Sequence, residues 1–303
     1  EALKSQTLAA RTYALSKLKP NSYYGYDVED SIVDQVYGGY SSEYPSTNKA
    51  VDETRGEKIY YDGKLIEAVF HSTSGGSTEN SENVWGNEVP YLRGVDDEYS
   101  NISPVTQWQQ TYSKDYIINR LKLYGNNVND IYGIKITKIS ENNRVLECIF
   151  DTDKGKITYT KDKIRSVLGL KSLWFTIDNA SGGTYDFNFI YADASGKFPS
   201  RGSVIDSLTD NVSKVADSLK SNYMISKNEA TTKIEKDNVA FISSSGVTIN
   251  NNSLNSTGSE YSFSGRGWGH SLGLSQYGAK DMASKGFTYD EIIKHYYTGV
   301  TIK

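Results

Sequence analysis

Five glycines fall within fourteen residues in the stretch "GRGWGHSLGLSQYGA" at 265–279, and no other feature constrains the chain as much. Their spacing suits neither a helix nor a strand. It predicts a shaped turn whose backbone takes conformations that side chains restrict. Within it, Gly269-His270-Ser271-Leu272-Gly273 fits the G-x-S-x-G pattern of a nucleophile elbow. Such an elbow needs a buried strand before the serine, a helix after it, and an acid and a histidine further along the chain. Here "YSFSGRGWGH" is a half-polar strand, and only 32 residues follow Ser271. No βαβ alternation of a parallel hydrolase sheet is evident. The serine-hydrolase reading fails, and Ser271 is not taken as a nucleophile.

The remaining chain narrows the choices. A fold of 303 residues buries about 75% of the surface its unfolded chain exposes, so it needs no staples. Basic residues number 33 and acidic residues 37, intermixed, for a net charge of -4. Without a basic stripe, nucleic acid is excluded as a partner. Cys148 is alone, which rules out an internal disulfide and a multi-cysteine metal site and suits a small buried hydrophobe. The histidines are His71, His270 and His295, with no H-x-x-x-H pair, so no metal and no cofactor are assigned. No stretch approaches the roughly 18 apolar residues of a membrane span, and no signal peptide is evident. The opening "EALKSQTLAARTYALSKL" begins in mid-helix without a cap, and is read as part of a longer or processed chain.

Local patterns give the elements. The first helix runs to about Leu18, before Pro20; it is apolar almost all round and is expected to be buried. Gln6 on it reads either as a structural hydrogen-bonding group or as a substrate contact, and Arg11 as an ion-pair partner or a ligand grip. In "EKIYYDGKLIEAVFHSTSGG", Asp62-Gly63 predicts a type I′ hairpin whose second strand delivers Phe70 and His71 to a polar loop. Ser113 is the expected cap of a helix ending before Gly125, followed by strands near 131–139, 144–150 and 156–160. Thr160 is the expected cap of a short helix ending at Gly169. Residues 180–258 are rich in Ser, Asn, Gly and Asp, with Val204, Leu208, Val212, Val215 and Leu219 at helical spacing, and read as an insertion. Near the end, Thr288-x-x-Glu291 forms a capping box. The expected organisation is a core over 1–179, an insertion over 180–258, and a closing core segment over 259–303.

Three stretches carry a resemblance: "EALKSQTLAARTYAL", "FHSTSGGSTENSENVWGNEVPYLRGV" and "GRGWGHSLGLSQYGAKDMASKGFTYDEIIKHYYTG". In that order they resemble the E-A-L-K-A-Q-A-x-A-A-R-T helix, the S-T-S-x-G-x-T-E-N loop and the G-x-G-H-G-x-G-M-S-Q-x-G-A turn of the SpoIID/LytB family. The match covers nearly the whole chain except 180–258. Position 271 usually carries glycine in that family, so Ser271 is a local substitution.

The resemblance implies an α+β fold with mixed and antiparallel sheets, a buried N-terminal helix and a glycan-binding groove. It implies a peptidoglycan lytic transglycosylase, in which one carboxylic acid protonates the glycosidic oxygen and the sugar's own 6-hydroxyl closes a 1,6-anhydro end. The family's acid lies in an E-M-P stretch ahead of E-A-L-K. This chain contains no E-M-P, so Glu1 is the catalytic candidate within it, with the acid otherwise upstream. Glu79 and Glu82 are weaker candidates, read as exposed loop carboxylates. The loop His71, Ser72, Thr73, Ser74, Gly75 and Gly76 is expected to bind substrate together with Gly267, Trp268, Gly269, His270, Ser275 and Gln276, supported by Gln6 and Arg11. The glycines are expected to let the backbone approach the glycan, and Trp85, Tyr91 and Trp268 to stack on sugars.

Implied partners are peptidoglycan glycan strands, a cell-wall amidase and membrane-bound engulfment proteins, with an extracytoplasmic location at the cell envelope. The alternative is a non-catalytic glycan-binding module that enhances or recruits an amidase.

Overall fold

The computed structural model describes residues 1–18, 23, 25–31, 33–179, 238–243, 246–251 and 260–303. It is an α+β protein with two compact units, one formed by Glu1–Gln107 and Arg266–Lys303 and the other by Trp108–Gly265. These boundaries differ from the three segments expected from composition. Two strands within 180–258, Asn238–Ser243 and Gly246–Asn251, belong to the second unit's sheet. The amphipathic helix expected around Val204–Leu219 lies outside the described residues.

The first unit begins with α1 (Ala2–Lys17). Its buried residues are Ser5, Leu8, Ala9, Thr12 and Tyr13, a single i, i+3, i+4, i+7, i+8 stripe. Leu3 is exposed, so the helix buries one face and not its circumference. After α2 (Pro45–Glu53) come β1 (Ile59–Tyr61) and β2 (Lys64–Leu65), joined by Asp62 and Gly63 at φ of 47° and 72°. Two positive φ values in succession make the predicted type I′ turn.

The hairpin's second strand ends sooner than predicted. Phe70 and His71 form a separate strand, β3, which pairs in parallel with a distant partner. The unit also holds the short helix α3 (Ser81–Val84). Its apolar core gathers Leu8, Ile59, Val69, Leu272, Ile292 and Tyr297 among others.

The second unit is built from longer, regular pieces. They are β4 (Gln107–Ser113), α4 (Lys114–Leu123), β5 (Ile131–Ile139), β6 (Val145–Thr152), β7 (Gly155–Thr160), α5 (Asp162–Leu168) and β8 (Trp174–Asn179). With β9 (Asn238–Ser243), β10 (Gly246–Asn251) and β11 (Glu260–Arg266) they form sheets ordered β7-β6-β5-β10-β9 and β4-β11-β8. The five-stranded sheet is antiparallel throughout.

Ser113 caps α4 as predicted, its hydroxyl accepting from Tyr116 N. At α5 the cap position is Lys161, one residue beyond Thr160, and no side chain caps it. Cys148 is fully buried in this core.

The chain then completes the first unit with β12 (Leu274–Ser275), α6 (Gln276–Ser284), α7 (Tyr289–Tyr296) and β13 (Thr301–Ile302). Thr288 and Glu291 make the predicted capping box on α7. β13 pairs with β1, so the last residues lie beside the hairpin in an order β13-β1-β2.

Candidate functional site

The histidine loop and the glycine-rich turn meet on the first unit along one short parallel ladder, where Phe70 faces Leu274 and His71 faces Ser275. The contact continues through an isolated bridge, with Thr73 N donating to Trp268 O at 3.2 Å and Trp268 N to Thr73 O at 2.8 Å. Tyr277 N donates to Ser72 O, and Glu79 N to Ser271 O. Arg266 adds a side-chain tie from Nε to the Gly75 carbonyl at 2.8 Å.

The glycines make this approach possible. A Cβ on Gly75 would stand 2.7 Å from Gly267 N, one on Gly267 2.6 Å from Ser74 O, and one on Gly269 2.6 Å from His71 Cβ. At Gly278 it would stand 2.5 Å from an Asp97 carboxylate oxygen. All are closer than a real Cβ tolerates, so these glycines serve the contact of the protein with itself.

Two histidines clamp the turn at Leu272. Its N–H donates to His270 Nδ1 at 3.0 Å, which leaves the His270 proton on Nε2, where it donates to Phe70 O at 3.0 Å. His71, buried, donates through Nδ1 to Leu272 O at 3.1 Å. The two rings lie 5.5 Å apart. Ser271, next to His270 in the chain, has φ 62°, is 1% exposed, and has a hydroxyl with no hydrogen-bond partner. A left-handed backbone explains why glycine suits this position.

Beneath the ladder lies a carboxylate that sequence reasoning missed. Asp97 is fully buried and accepts from Ser74 Oγ and from Tyr296 Oη, each at 2.7 Å, with Ser275 as a further donor. Burial raises its carboxyl above the ordinary range, while these hydroxyls pull the other way. Asp97 thus joins the histidine loop, the glycine-rich turn and α7. In "RGVDDEYS" two adjacent aspartates offer the same local pattern, and nothing in the sequence says which one turns inward.

The expected site residues divide into three groups. Thr73, Ser74, Gly75, Gly267 and Ser275 are buried. Gln276, Trp85 and Trp268 are exposed, while Gln6, Ser72, Gly76, Gly269 and His270 are half-buried. Gln6 and Gln276, 270 residues apart, meet through Gln276 Nε2 and Gln6 Oε1 at 3.3 Å. Trp85, at the end of α3, packs its ring 5.2 Å from that of His270. Tyr91 is half-buried, and its hydroxyl accepts from Glu67 N at 3.0 Å.

Arg11 points its guanidinium at the end of α2, donating to the carbonyls of Thr54 at 2.6 Å, Glu57 at 3.0 Å and Val51 at 3.2 Å. That is the grip of a helix C-terminus by a cation.

The three candidate carboxylates, Glu1, Glu79 and Glu82, are engaged. Glu1 accepts from Tyr289 N at 2.9 Å, at the start of α7, and pairs with Lys4 at 3.0 Å. Both contacts lower its pKa, the reverse of what a proton donor needs. Glu82 pairs with Arg93. Glu79 is buried, contrary to the expectation of an exposed loop carboxylate, and accepts from Asn80 N at 2.7 Å and Asn83 Nδ2 at 3.0 Å. The reason for that burial is the Glu79 N–H bond to Ser271, which draws the loop under the turn.

This fold and this junction of two motifs define a class, and sequence comparisons agree. Residues 1–61 match the model of the SpoIID family, described as stage II sporulation protein. The whole chain is 33% identical over 310 residues to the amidase enhancer of Bacillus subtilis (strain 168). It is 28% identical over 319 residues to stage II sporulation protein D of Bacillus amyloliquefaciens, and 27% identical to that of Bacillus subtilis (strain 168). The chain spans 38% of the amidase enhancer's length and 68% of each sporulation protein's. The chain is thus similar along its whole length to these proteins, and its first 61 residues match the SpoIID family model.

Proposed function

We propose that this chain binds peptidoglycan glycan strands, outside the cytoplasm at the cell envelope, in cell-wall remodelling connected with sporulation. The observation that carries the reading is the surface left by the two motifs. Trp85 and Trp268 stay 44% and 45% exposed, Trp85 against the ring of His270 and Trp268 eight residues before the exposed amide of Gln276. Flat aromatic faces next to uncharged hydrogen-bonding groups suit sugar rings. The names of the relatives, amidase enhancer and stage II sporulation protein D, support a role at the cell wall.

Two finer activities fit this surface. Lytic transglycosylation needs a protonated carboxyl at the glycosidic oxygen. Amidase enhancement needs binding alone, with a cell-wall amidase as partner, and membrane-bound engulfment proteins are further partners under either reading. The state of the carboxylates favours enhancement: Glu1 is held in its charged form, Glu82 is ion-paired, and Glu79 and Asp97 are buried and hydrogen-bonded. Mass spectrometry of stem-peptide-free glycan strands incubated with the chain tests the choice. The expected result is bound but uncut strands, and an increase in amidase turnover when an amidase is added. New 1,6-anhydro ends that survive Glu1→Gln but vanish in Glu79→Gln would move the assignment to transglycosylation with Glu79 as its acid.

A further inference from the structure

Sixteen large apolar side chains are exposed among the described residues, and five of them, Val33, Val36, Tyr37, Tyr40 and Tyr44, fall within twelve residues of the first unit. Single exposed apolar residues are ordinary, but a cluster marks a contact surface. Val36 and Tyr40 are the most open of the five, at 73% and 86%. The run is tied down at both ends. Asp34 accepts from Tyr13 Oη on α1 at 2.8 Å and from Glu29 N at 2.9 Å. Gln35 Nε2 donates to Ala10 O, also on α1, at 3.0 Å. Further along, Ser42 N donates to Gly39 O and Glu43 N to Tyr40 O, and Tyr44 is the N-cap of α2. The backbone is therefore held between two helices while apolar side chains stand in solvent. A surface ordered in advance loses less entropy when a partner docks.

Charge selects the partner. Between Lys19 and Lys49 the sequence holds Asp27, Glu29, Asp30, Asp34 and Glu43, and no Lys or Arg. Glu29, Asp30 and Glu43 are exposed alongside the apolar residues. An anionic lipid surface would be repelled, and Val33 and Val36 offer a sugar no side-chain hydrogen bond. A protein face with an apolar centre and a rim of Lys and Arg answers both features. We infer that residues 33–44, with their acidic neighbours, form the docking surface for a basic face of a cell-wall amidase. This rests on the amidase-enhancement reading, and it assigns the amidase to residues other than those of the two motifs.

The test is binding of the chain to a purified cell-wall amidase of the same organism, by isothermal titration calorimetry at low and at high salt. Amidase turnover on peptidoglycan is measured beside it, with and without the chain. The complex should weaken about tenfold at high salt. Val36→Ser combined with Tyr40→Ala should weaken it about tenfold or more and remove most of the enhancement. Glu29→Lys combined with Asp30→Lys should weaken it about tenfold at low salt and little at high salt. All four side chains are exposed, so both variants should keep the circular dichroism and the glycan-strand binding of the unsubstituted chain. Full binding and enhancement by the Val36 and Tyr40 variant overturn the docking surface and leave the enhancement reading standing. Enhancement without a detectable complex does the same. A complex indifferent to salt and to the two lysines overturns the basic face. Neither binding nor enhancement by the unsubstituted chain removes the enhancement reading and the docking surface with it.

Discussion

The two units of this protein solve the problem of burial differently. In the second, the described core is apolar, with Ile131, Val145, Phe150 and Phe263 closed from solvent on strands of seven to nine residues and Ile164 on α5. Only Ser140, Arg144, Thr152 and Ser172 stand there as buried polar residues among those described. The first unit has strands of two and three residues and buries His71, Thr73, Ser74, Thr78, Glu79, Asp97, Ser100 and Ser275. Hydrogen bonds hold its segments in register where a sheet ladder would otherwise do so. Such networks are costly when incomplete and specify one arrangement when satisfied. A surface that must place particular groups against a ligand gains from that specificity.

Substitutions can break or sharpen this contrast. The largest effect is expected at Asp97→Ala, which leaves the hydroxyls of Ser74 and Tyr296 without their acceptor. A loss of about 5 kcal/mol follows from two buried bonds to a charged group, read as lost amide protection in β3 and α6. Asp97 also sets a pH dependence. Its folded pKa is raised above the ordinary 3.8, so its contribution is full below that value and declines as pH rises through the raised one. Asp97→Asn should flatten that decline in a urea-denaturation series across pH.

In the second unit the cost should follow apolar volume. Phe150→Ala is expected to lose about 4 kcal/mol, with amide protection falling in β5 and β6. Gly267→Ala comes next. Its φ of 78° and the Ser74 carbonyl 2.6 Å from a new Cβ predict a loss of about 3 kcal/mol, measured by thermal unfolding. The smallest effect has the opposite sign. Ser271→Gly relieves a left-handed serine and an unpartnered buried hydroxyl, against a looser unfolded chain, and should stabilise by about 1 kcal/mol. It should leave strand binding unchanged, as expected of a residue that is no nucleophile.

The same contrast explains what the sequence discloses. The Asp62-Gly63 turn, the Ser113 cap, the Thr288 and Glu291 box, and β5 to β7 are local features, set by residues within a few positions of one another, and each is legible. Family motifs also name the segments that meet at the ladder. Pairing over 200 residues leaves no local trace, so the break after Leu65 and the joining of β3 to β12 were not predicted. Neither was the burial of Glu79 or Asp97, because a carboxylate's environment is decided by segments far along the chain. Gln6 shows the middle case. Its position on α1 admitted either of two roles, and only the fold brings it to Gln276.

Hydrogen–deuterium exchange of the chain, with and without stem-peptide-free glycan strands, tests the central claim most directly. The strands should slow exchange over 70–77 and 266–277 in the first unit and leave β5 to β7 unchanged. Protection confined to β5 to β7, or none at saturating strand concentration, would contradict the assignment of the glycan surface to the junction of the two motifs.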